Sequence, residues 1–281
     1  MSVLRAGLVQ TCAGDDPAAN LARTAELIRQ AAVGGAQWVL TPEVTNIVTF
    51  SRRLQADRLR VEAEDETLAG LRDLAAELGI WLLAGSLALK AGDDDRFVNR
   101  SFLIDATGGI AARYDKIHMF DVEVGEGETY RESSAYRPGD RAVTAATPWG
   151  TVGLTICYDM RFPALYRALA EAGAGVLTVP SAFTRPTGAA HWHVLLRARA
   201  IETGCFVLAP AQTGTHPAAE GARVRKTYGH SLAVAPWGEV LADAGEAVGV
   251  SLVDLDLDRI AEARGRVPAL ANARPFAAPG A

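Results

Sequence analysis

The feature that most constrains this chain is an alternation of short apolar runs with amphipathic helical patterns, which begins at its first residues. Residues 3–9 have the apolar composition of a buried strand. Asp16 and Pro17 follow as a capping side chain and a proline suited to the first helical turn, and Leu21 and Ile28 recur at the helical period. Strands and helices that alternate in this way predict an α/β fold.

Two predicted hairpins indicate that the sheet is mixed rather than purely parallel. Residues 98–105 and 110–114 flank one glycine-containing turn, and residues 231–234 and 239–242 flank a second. One hairpin lies near the end of each half of the chain, which hints at an internal duplication.

The overall make-up of the chain limits its organisation and its partners. No linker rich in Pro, Gly or Ser divides it, so we predict a single domain over residues 1–281. The tail at 268–281 is too apolar to stay free and is expected to pack on a partner subunit. Lys and Arg number 28 against 33 Asp and Glu, a net charge of −5 with no long basic block. Nucleic acids and anionic membranes are therefore poor partners.

The cysteines and the apolar runs indicate the cellular setting. Cys12, Cys157 and Cys205 have no paired spacing, which argues against a disulfide framework or a zinc site. The N-terminus has no basic leader followed by an apolar segment, and no apolar run reaches the length of a membrane span. We therefore expect a cytoplasmic protein whose free thiols remain available for chemistry.

Three reactive side chains lie where predicted strands end. Cys157 follows the strand at 151–156 and precedes a helix, whose free N–H groups favour a thiolate or an oxyanion. Glu43 follows the strand at 38–41 and would act as a base if burial raised its pKa. Lys116 lies between apolar residues at the exit of the first hairpin. Each alone also fits a structural role: a core thiol, a solvated carboxylate, and a lysine whose stem covers the core.

Taken together, these residues carry a family resemblance. Pro42-Glu43, the Tyr-x-Lys-x-His pattern at 114–118 and the sequence CYDMRFP at 157–163 resemble the Glu–Lys–Cys motifs of the nitrilase superfamily of carbon–nitrogen hydrolases. The resemblance extends from the first strand to residues 228–231. It implies a four-layer α-β-β-α sandwich, a homodimer or higher homo-oligomer, and chemistry that needs no metal or cofactor.

The resemblance also implies a role for each matching residue. Glu43 would take the thiol proton, Cys157 would attack the amide carbon and form a thioester, and Lys116 would stabilise the oxyanion. The backbone N–H of Tyr158 would be the second oxyanion donor. A further glutamate supports the lysine in this family, and Glu132 fits by its distance after that lysine. Three nearby residues remain alternatives to it: Glu123, Glu126 and Glu128.

Further segments indicate the substrate. Residues 118–122, 180–183, 191–203 and 211–216 resemble the branch of the superfamily that hydrolyses deaminated glutathione to 2-oxoglutarate and cysteinylglycine, a metabolite-repair reaction. The alternatives are an omega-amidase that releases ammonia from 2-oxoglutaramate, and a hydrolase of N-carbamoyl compounds. A non-catalytic binding or scaffold protein is an alternative of another class. The presence of all three reactive residues, Glu43, Lys116 and Cys157, counts against it. A true nitrilase fits the motifs less well.

Both keto-acid substrates are small anions, so the pocket should contain a cation. Arg161 and Arg185 are the two possibilities. Arg161 also fits an ion pair that braces the turn after the cysteine, whereas Arg185 is expected in a loop after a strand and is the freer of the two. Ser181 and Phe183 are expected to line the pocket from the next strand end. After the Arg-Phe-Pro sequence at 161–163, many members of the family have a glutamate, whereas this chain has Ala164. The difference leaves Glu43, Lys116 and Cys157 intact.

Histidine is the other common partner of a reactive thiol. His191 and His193 are two apart on a predicted helix, so they face different directions and do not form one metal site. His118 shares the face of Lys116 on an extended segment, which makes it an alternative base or a supporting residue. His216 and His230 indicate no role on their own.

Overall fold

The computed structural model describes residues 3–124, 129–218 and 223–280. The strands of the first half are β1 Val3–Gln10, β2 Trp38–Leu40, β3 Trp81–Lys90, β4 Phe97–Ile104, β5 Ile110–Asp115, β6 Asp121–Glu123 and β7 Thr129–Arg131. Those of the second half are β8 Val143–Thr147, β9 Gly150–Leu154, β10 Val176–Thr178, β11 Phe206–Ala209, β12 Thr213–Thr215, β13 Lys226–Tyr228, β14 Leu232–Val234, β15 Val240–Asp243 and β16 Gly249–Asp256. The helices are α1 Pro17–Val33, α2 Arg52–Arg58, α3 Glu66–Leu78, α4 Pro163–Glu171, α5 Arg185–Thr203 and α6 Asp258–Arg266.

The strands form two six-stranded sheets of closely similar design. The first has the order β16-β1-β2-β3-β4-β5 and the second the order β15-β14-β11-β10-β9-β8. In each sheet three central strands are parallel, and antiparallel strands flank them on both sides. The predicted hairpins are β4–β5 and β14–β15, which confirms that the sheets are mixed.

Local sequence explains where the first helices begin and end. Asp16 Oδ1 accepts hydrogen bonds from the N–H groups of Ala18 (3.0 Å) and Ala19 (3.4 Å), which caps α1. Asp65 caps α3 in the same way, and Gly79 ends that helix with a φ of +64°, a conformation that glycine adopts without steric cost.

The helices cover the outer faces of the two sheets. α1 and α3 pack on the first sheet, and α4 and α5 pack on the second. The strands alternate accordingly: in β2, Leu40 belongs to the core that the two sheets share, whereas Val39 faces the helices. Burial of one such leucine contributes about 1.5–3 kcal/mol. The chain is therefore a four-layer α-β-β-α sandwich, as predicted.

Several expectations need correction or stay open. The helix expected from residue 191 begins six residues earlier, so Arg185 is the first residue of α5 and not part of a loop. The polar stretch at 118–141 contains the two-stranded ribbon β6–β7. The tail after Pro268 is largely exposed, with Phe276 at 91%, and its packing on a partner subunit stays a prediction. No helix in the described ranges is long and apolar enough to cross a membrane.

Candidate active site

Cys157 lies at a sharp turn between β9 and α4. It has a φ of +48°, a left-handed conformation that costs a non-glycine residue free energy. Its N–H donates to the carbonyl of Pro180 (2.9 Å). The fully buried carboxylate of Asp159 accepts hydrogen bonds from the N–H of Ile156 (2.9 Å) and the hydroxyl of Tyr114 (2.6 Å). These contacts hold the thiol at the carboxyl edge of the second sheet.

Lys116 directly follows β5 and is only 2% exposed. Its ammonium donates to Oε1 of Glu43 (2.9 Å) and to both carboxylate oxygens of Glu132 (3.0 and 2.9 Å). Burial alone would lower the pKa of Lys116, but the two carboxylates outweigh burial and raise the pKa well above its ordinary value. The lysine is therefore charged at any physiological pH.

Glu43 is 4% exposed and makes a hydrogen bond at each oxygen. Its Oε1 accepts from Lys116 and from Nδ2 of Asn99 (2.9 Å), and its Oε2 accepts from the N–H of Ala182 (2.8 Å). Burial tends to raise the pKa of Glu43, but the charges of Lys116 and Arg225 and the hydrogen bonds outweigh it and lower the pKa. We therefore expect an ionised base, by a route opposite to the burial effect inferred from the sequence.

The surroundings of Cys157 favour its neutral thiol over the thiolate. Burial raises its pKa, and the negative charge of Glu43 raises it further, while the charge of Lys116 acts in the opposite direction. A neutral thiol beside an ionised carboxylate needs proton transfer before or during nucleophilic attack. This arrangement suits general-base activation rather than a preformed thiolate.

Glu132 is the glutamate that the structure brings to the lysine. Besides Lys116, its carboxylate accepts a hydrogen bond from the N–H of Phe120 (2.7 Å). Of the alternatives, Glu123 forms an exposed ion pair with Arg131 (2.9 Å) and makes no contact with the lysine. The other two alternatives, Glu126 and Glu128, lie outside the described residues.

Two of the expected substrate-binding residues adjoin the site. Phe183 lines the same cavity as Cys157. The backbone N–H of Tyr158 directly follows the cysteine in the turn, while the tyrosine ring packs edge-on against Phe120 and Phe162. Its proposed contribution therefore comes from the backbone, because the ring does not line the cavity.

Ser181 and Arg185 do not line this cavity, contrary to expectation. Ser181 is fully buried, its hydroxyl donates to the carbonyl of Val179 (2.9 Å), and its backbone forms a parallel bridge with Ala211. Arg185 lies on the surface of α5, where its nearest carboxylate is that of Glu246 at 4.0 Å. It lies outside because the helix begins earlier than the sequence indicated.

Arg161 neither lines the cavity nor forms an ion pair within the described ranges. Its guanidinium lies over the rings of Tyr158 (5.9 Å) and Phe183 (5.5 Å) and contacts His191 (3.2 Å). His118, the alternative base, bonds the carboxylate of Asp159 (2.7 Å) and also lies outside the cavity lining. It supports the turn that carries the cysteine and is not placed to act as base.

The cavity above the thiol has a volume of about 320 Å³, at the small end for ligand sites. Its wall contains Glu43, Lys116, Glu132 and Cys157. It also contains four arginines that the sequence analysis did not single out: Arg52, Arg131, Arg223 and Arg225. The only signal for the last two was the basic run RVRK at 223–226, which lies in a segment without a clear pattern.

A separate cluster of possible metal ligands lies outside the cavity. The ligand atoms of His193, His230 and Asp243 are within 4.8 Å of one another. In the structure both imidazoles hydrogen-bond the same carboxylate, at 2.9 Å and 2.8 Å, and so tie α5 to the β14–β15 hairpin. His191 contacts Arg161 instead, so the two neighbouring histidines have separate partners, as predicted.

Comparison with known proteins gives a consistent result. The carbon–nitrogen hydrolase family model matches residues 5–265. A deaminated glutathione amidase of Yersinia enterocolitica is 39% identical over 270 residues, which cover 95% of this chain and 92% of that protein. A deaminated glutathione amidase of Synechocystis sp. is 41% identical over 254 residues, which cover 89% and 91%.

A solved structure agrees with these relatives. Saccharomyces cerevisiae Nit3, described as a member of branch 10 of the nitrilase superfamily, superposes with a TM-score of 0.83 at 30% identity, covering 95% of this chain and 94% of that chain. The chain therefore belongs to the carbon–nitrogen hydrolase family of the nitrilase superfamily and is an enzyme that hydrolyses carbon–nitrogen bonds of amides.

Proposed function

We propose that this enzyme hydrolyses deaminated glutathione to 2-oxoglutarate and cysteinylglycine through a thioester on Cys157. The observation that carries the proposal is the buried ammonium of Lys116, held between Glu43 and Glu132 on the wall of the cavity that contains the thiol. The relatives named deaminated glutathione amidase support this choice of amide.

The first half of the reaction forms the thioester. Glu43 accepts the thiol proton as Sγ of Cys157 attacks the amide carbon, which gives a tetrahedral intermediate. The ammonium of Lys116 and the backbone N–H of Tyr158 stabilise its oxyanion, and donors placed in advance contribute about 10²–10³-fold each. The protonated Glu43 then donates its proton to the leaving nitrogen, the C–N bond breaks, and cysteinylglycine departs.

The second half releases the acid. Glu43, ionised again, takes a proton from water as the water oxygen attacks the thioester carbon. The new tetrahedral intermediate collapses, the C–S bond breaks, and the proton held by Glu43 returns to the sulfur of Cys157. Glu132 acts as a positioning residue, because it holds the ammonium of Lys116 in place and does not exchange a proton with substrate.

A product assay tests this proposal. Wild type and Cys157→Ala are given deaminated glutathione, 2-oxoglutaramate, an N-carbamoyl amino acid and a simple nitrile, with cysteinylglycine and ammonia measured separately. We expect deaminated glutathione to give the highest kcat/KM, and the variant to turn over none of the four. Preference for 2-oxoglutaramate would make the enzyme an omega-amidase. Turnover by the variant would refute the mechanism, and no turnover by wild type would leave a binding or scaffold role.

We further propose that the enzyme works in the cytoplasm as a homodimer or higher homo-oligomer. Exposed apolar side chains at the C-terminal end support the assembly, among them Val267 and Phe276. Light scattering should then give at least twice the 29.7 kDa mass of one chain. Truncation after residue 267 should shift the protein toward the monomer, and an unchanged mass would exclude the tail from the interface.

A further inference from the structure

The four arginines on the cavity wall differ in how their charge is compensated. Arg131 pairs with Glu123 (2.9 Å), and Arg52 donates to the carbonyl of Ser134. Arg223 and Arg225 make no ion pair within the described part of the chain. The two carboxylates on the wall, Glu43 and Glu132, already share the charge of the catalytic lysine. Among the described residues of the wall, five cations therefore face two carboxylates, so positive charge is in excess.

Arg225 is held by a hydrogen bond to the backbone yet has a donor that no described residue accepts. Its Nη2 donates to the carbonyl of Ala182 (2.8 Å), whereas its buried Nε has no acceptor among the described residues. Arg223 stacks above Phe50, with 4.2 Å from its guanidinium carbon to the ring centroid, and lies on the same wall. The guanidinium of Arg225 lines the cavity without a carboxylate partner among the described residues, so a carboxylate from the ligand is its natural complement.

The position of Arg225 indicates which end of the substrate it meets. Ala182 binds Arg225 through its carbonyl and Glu43 through its N–H (2.8 Å), so the guanidinium and the base are on the same side of the cavity. Glu43 must deliver its proton to the leaving nitrogen, and the leaving group therefore lies along this wall. A dipeptide leaving group extends about 7 Å, which carries its terminal carboxylate away from the base and toward the cavity mouth.

We propose that Arg225, assisted by Arg223, binds the terminal carboxylate of the leaving amine portion, so that the enzyme selects amides whose leaving group is a short peptide acid. A guanidinium binds a carboxylate through paired, charge-assisted hydrogen bonds, which suits this task better than an ammonium. The inference rests on the proposed function and adds the part of the substrate that the site recognises.

Calorimetric titration of the Cys157→Ala protein tests the site without turnover. The two ligands are deaminated glutathione and the same molecule with its glycine carboxylate converted to a carboxamide. We expect the acid to bind about 10- to 100-fold more tightly than the carboxamide, the range for a hydrogen bond to a charged group. Adding Arg225→Gln should reduce this ratio to about one, and Arg225→Lys should leave an intermediate ratio. The matched control is Arg29→Gln, because Arg29 pairs with Glu77 and is not on the cavity wall.

The outcomes separate this inference from the proposed function. A ratio that survives both Arg225 substitutions would overturn the inference, whatever the turnover assay gives. A ratio that depends on Arg225, in an enzyme that fails to hydrolyse deaminated glutathione, would keep the binding site and reject the reaction. Failure of the acid to bind more tightly than the carboxamide would also overturn the inference. Arg225→Lys guards against a Gln variant that folds poorly, as judged by thermal unfolding.

Discussion

The floor of the cavity and its mouth are built by different means. On the floor, Glu43, Lys116 and Cys157 each lie within three residues of a strand end, and all three are buried. At the mouth, the arginines come from short elements and loops and are partly or fully exposed. The comparison shows that the ends of strands in the two sheets position the proposed reacting groups, whereas the segments between strands carry the arginines proposed to bind the substrate.

The largest effect should come from the nucleophile on the floor. Cys157→Ala should lower kcat/KM by at least about 10⁴-fold, because no other group on the wall can form the thioester. The free energy of unfolding should change little, because the substitution removes a single sulfur atom. Turnover and urea denaturation of the same preparation measure both quantities. Residual turnover above one-hundredth of wild type would show that the floor does not carry the chemistry.

Removal of the lysine charge should damage both chemistry and stability. Lys116→Met leaves the carboxylates of Glu43 and Glu132 buried without a cation, which should cost about 3–5 kcal/mol of unfolding free energy. Loss of an oxyanion donor should also lower kcat by about 10²–10³-fold. Arg131→Met is the mouth control, because its ion pair is exposed and should contribute at most about 1 kcal/mol. Equal destabilisation by the two substitutions would show that the buried charges of the floor contribute no more to stability than the exposed ion pair at the mouth.

A buried histidine that contacts the backbone of Arg225 should make stability depend on pH. His216 Nδ1 donates to the carbonyl of Ala13 (2.7 Å), its Nε2 accepts from Thr227 (2.8 Å), and its backbone N–H donates to the carbonyl of Arg225 (2.9 Å). Burial lowers the pKa of His216 to about 4. Between pH 6.5, the ordinary pKa of histidine, and about pH 4, His216 is protonated in the unfolded chain but neutral in the folded protein.

Stability should therefore decrease as the pH falls through this window, by up to about 3 kcal/mol from His216. Urea denaturation at several pH values measures the decrease, and His216→Gln should flatten it. If the variant kept the full slope between pH 6.5 and 4, His216 would not be the group that titrates.

The smallest effect should come from the charge of an arginine at the mouth on the pKa of the base on the floor. The charge of Arg225 contributes to the low pKa of Glu43, so Arg225→Gln should raise that pKa. Glu43 must be ionised to accept the thiol proton, and the acid limb of kcat/KM should therefore move to higher pH, by up to about one unit. The profile is best measured with 2-oxoglutaramate, whose leaving group has no carboxylate. An acid limb that did not move would show that the two regions are electrostatically independent.

The contrast between floor and mouth also explains which site residues could be predicted from the sequence. Glu43 and Cys157 each lie three residues after a strand, and strand ends can be recognised from a few neighbouring residues. Ser181 also follows a strand, but its side chain turns to the backbone, and the N–H of the next residue, Ala182, enters the site instead. A shift of one position reverses which group points inward, and local patterns do not resolve it.

The arginines at the mouth could not be predicted from local sequence patterns, for a different physical reason. Arg225 is positioned by Ala182, 43 residues away, and by the backbone N–H of His216. Such contacts depend on the path of a loop, which neither helical nor strand periodicity encodes. Arg185 was misplaced because Thr184 and Pro186 begin the helix before its apolar pattern is visible.

The pairing of β1 with β16 has a consequence for how the protein is made. These two strands are joined along their whole length, from Val3 opposite Asp256 to Gln10 opposite Gly249. During synthesis β1 leaves the ribosome with one edge unpaired, and its neighbour on that edge, β16, is translated only after all six strands of the second sheet. The first sheet, and with it the support for Glu43, is therefore completed only after the strands of the second sheet have been made, so newly made chains depend on that late pairing to become active.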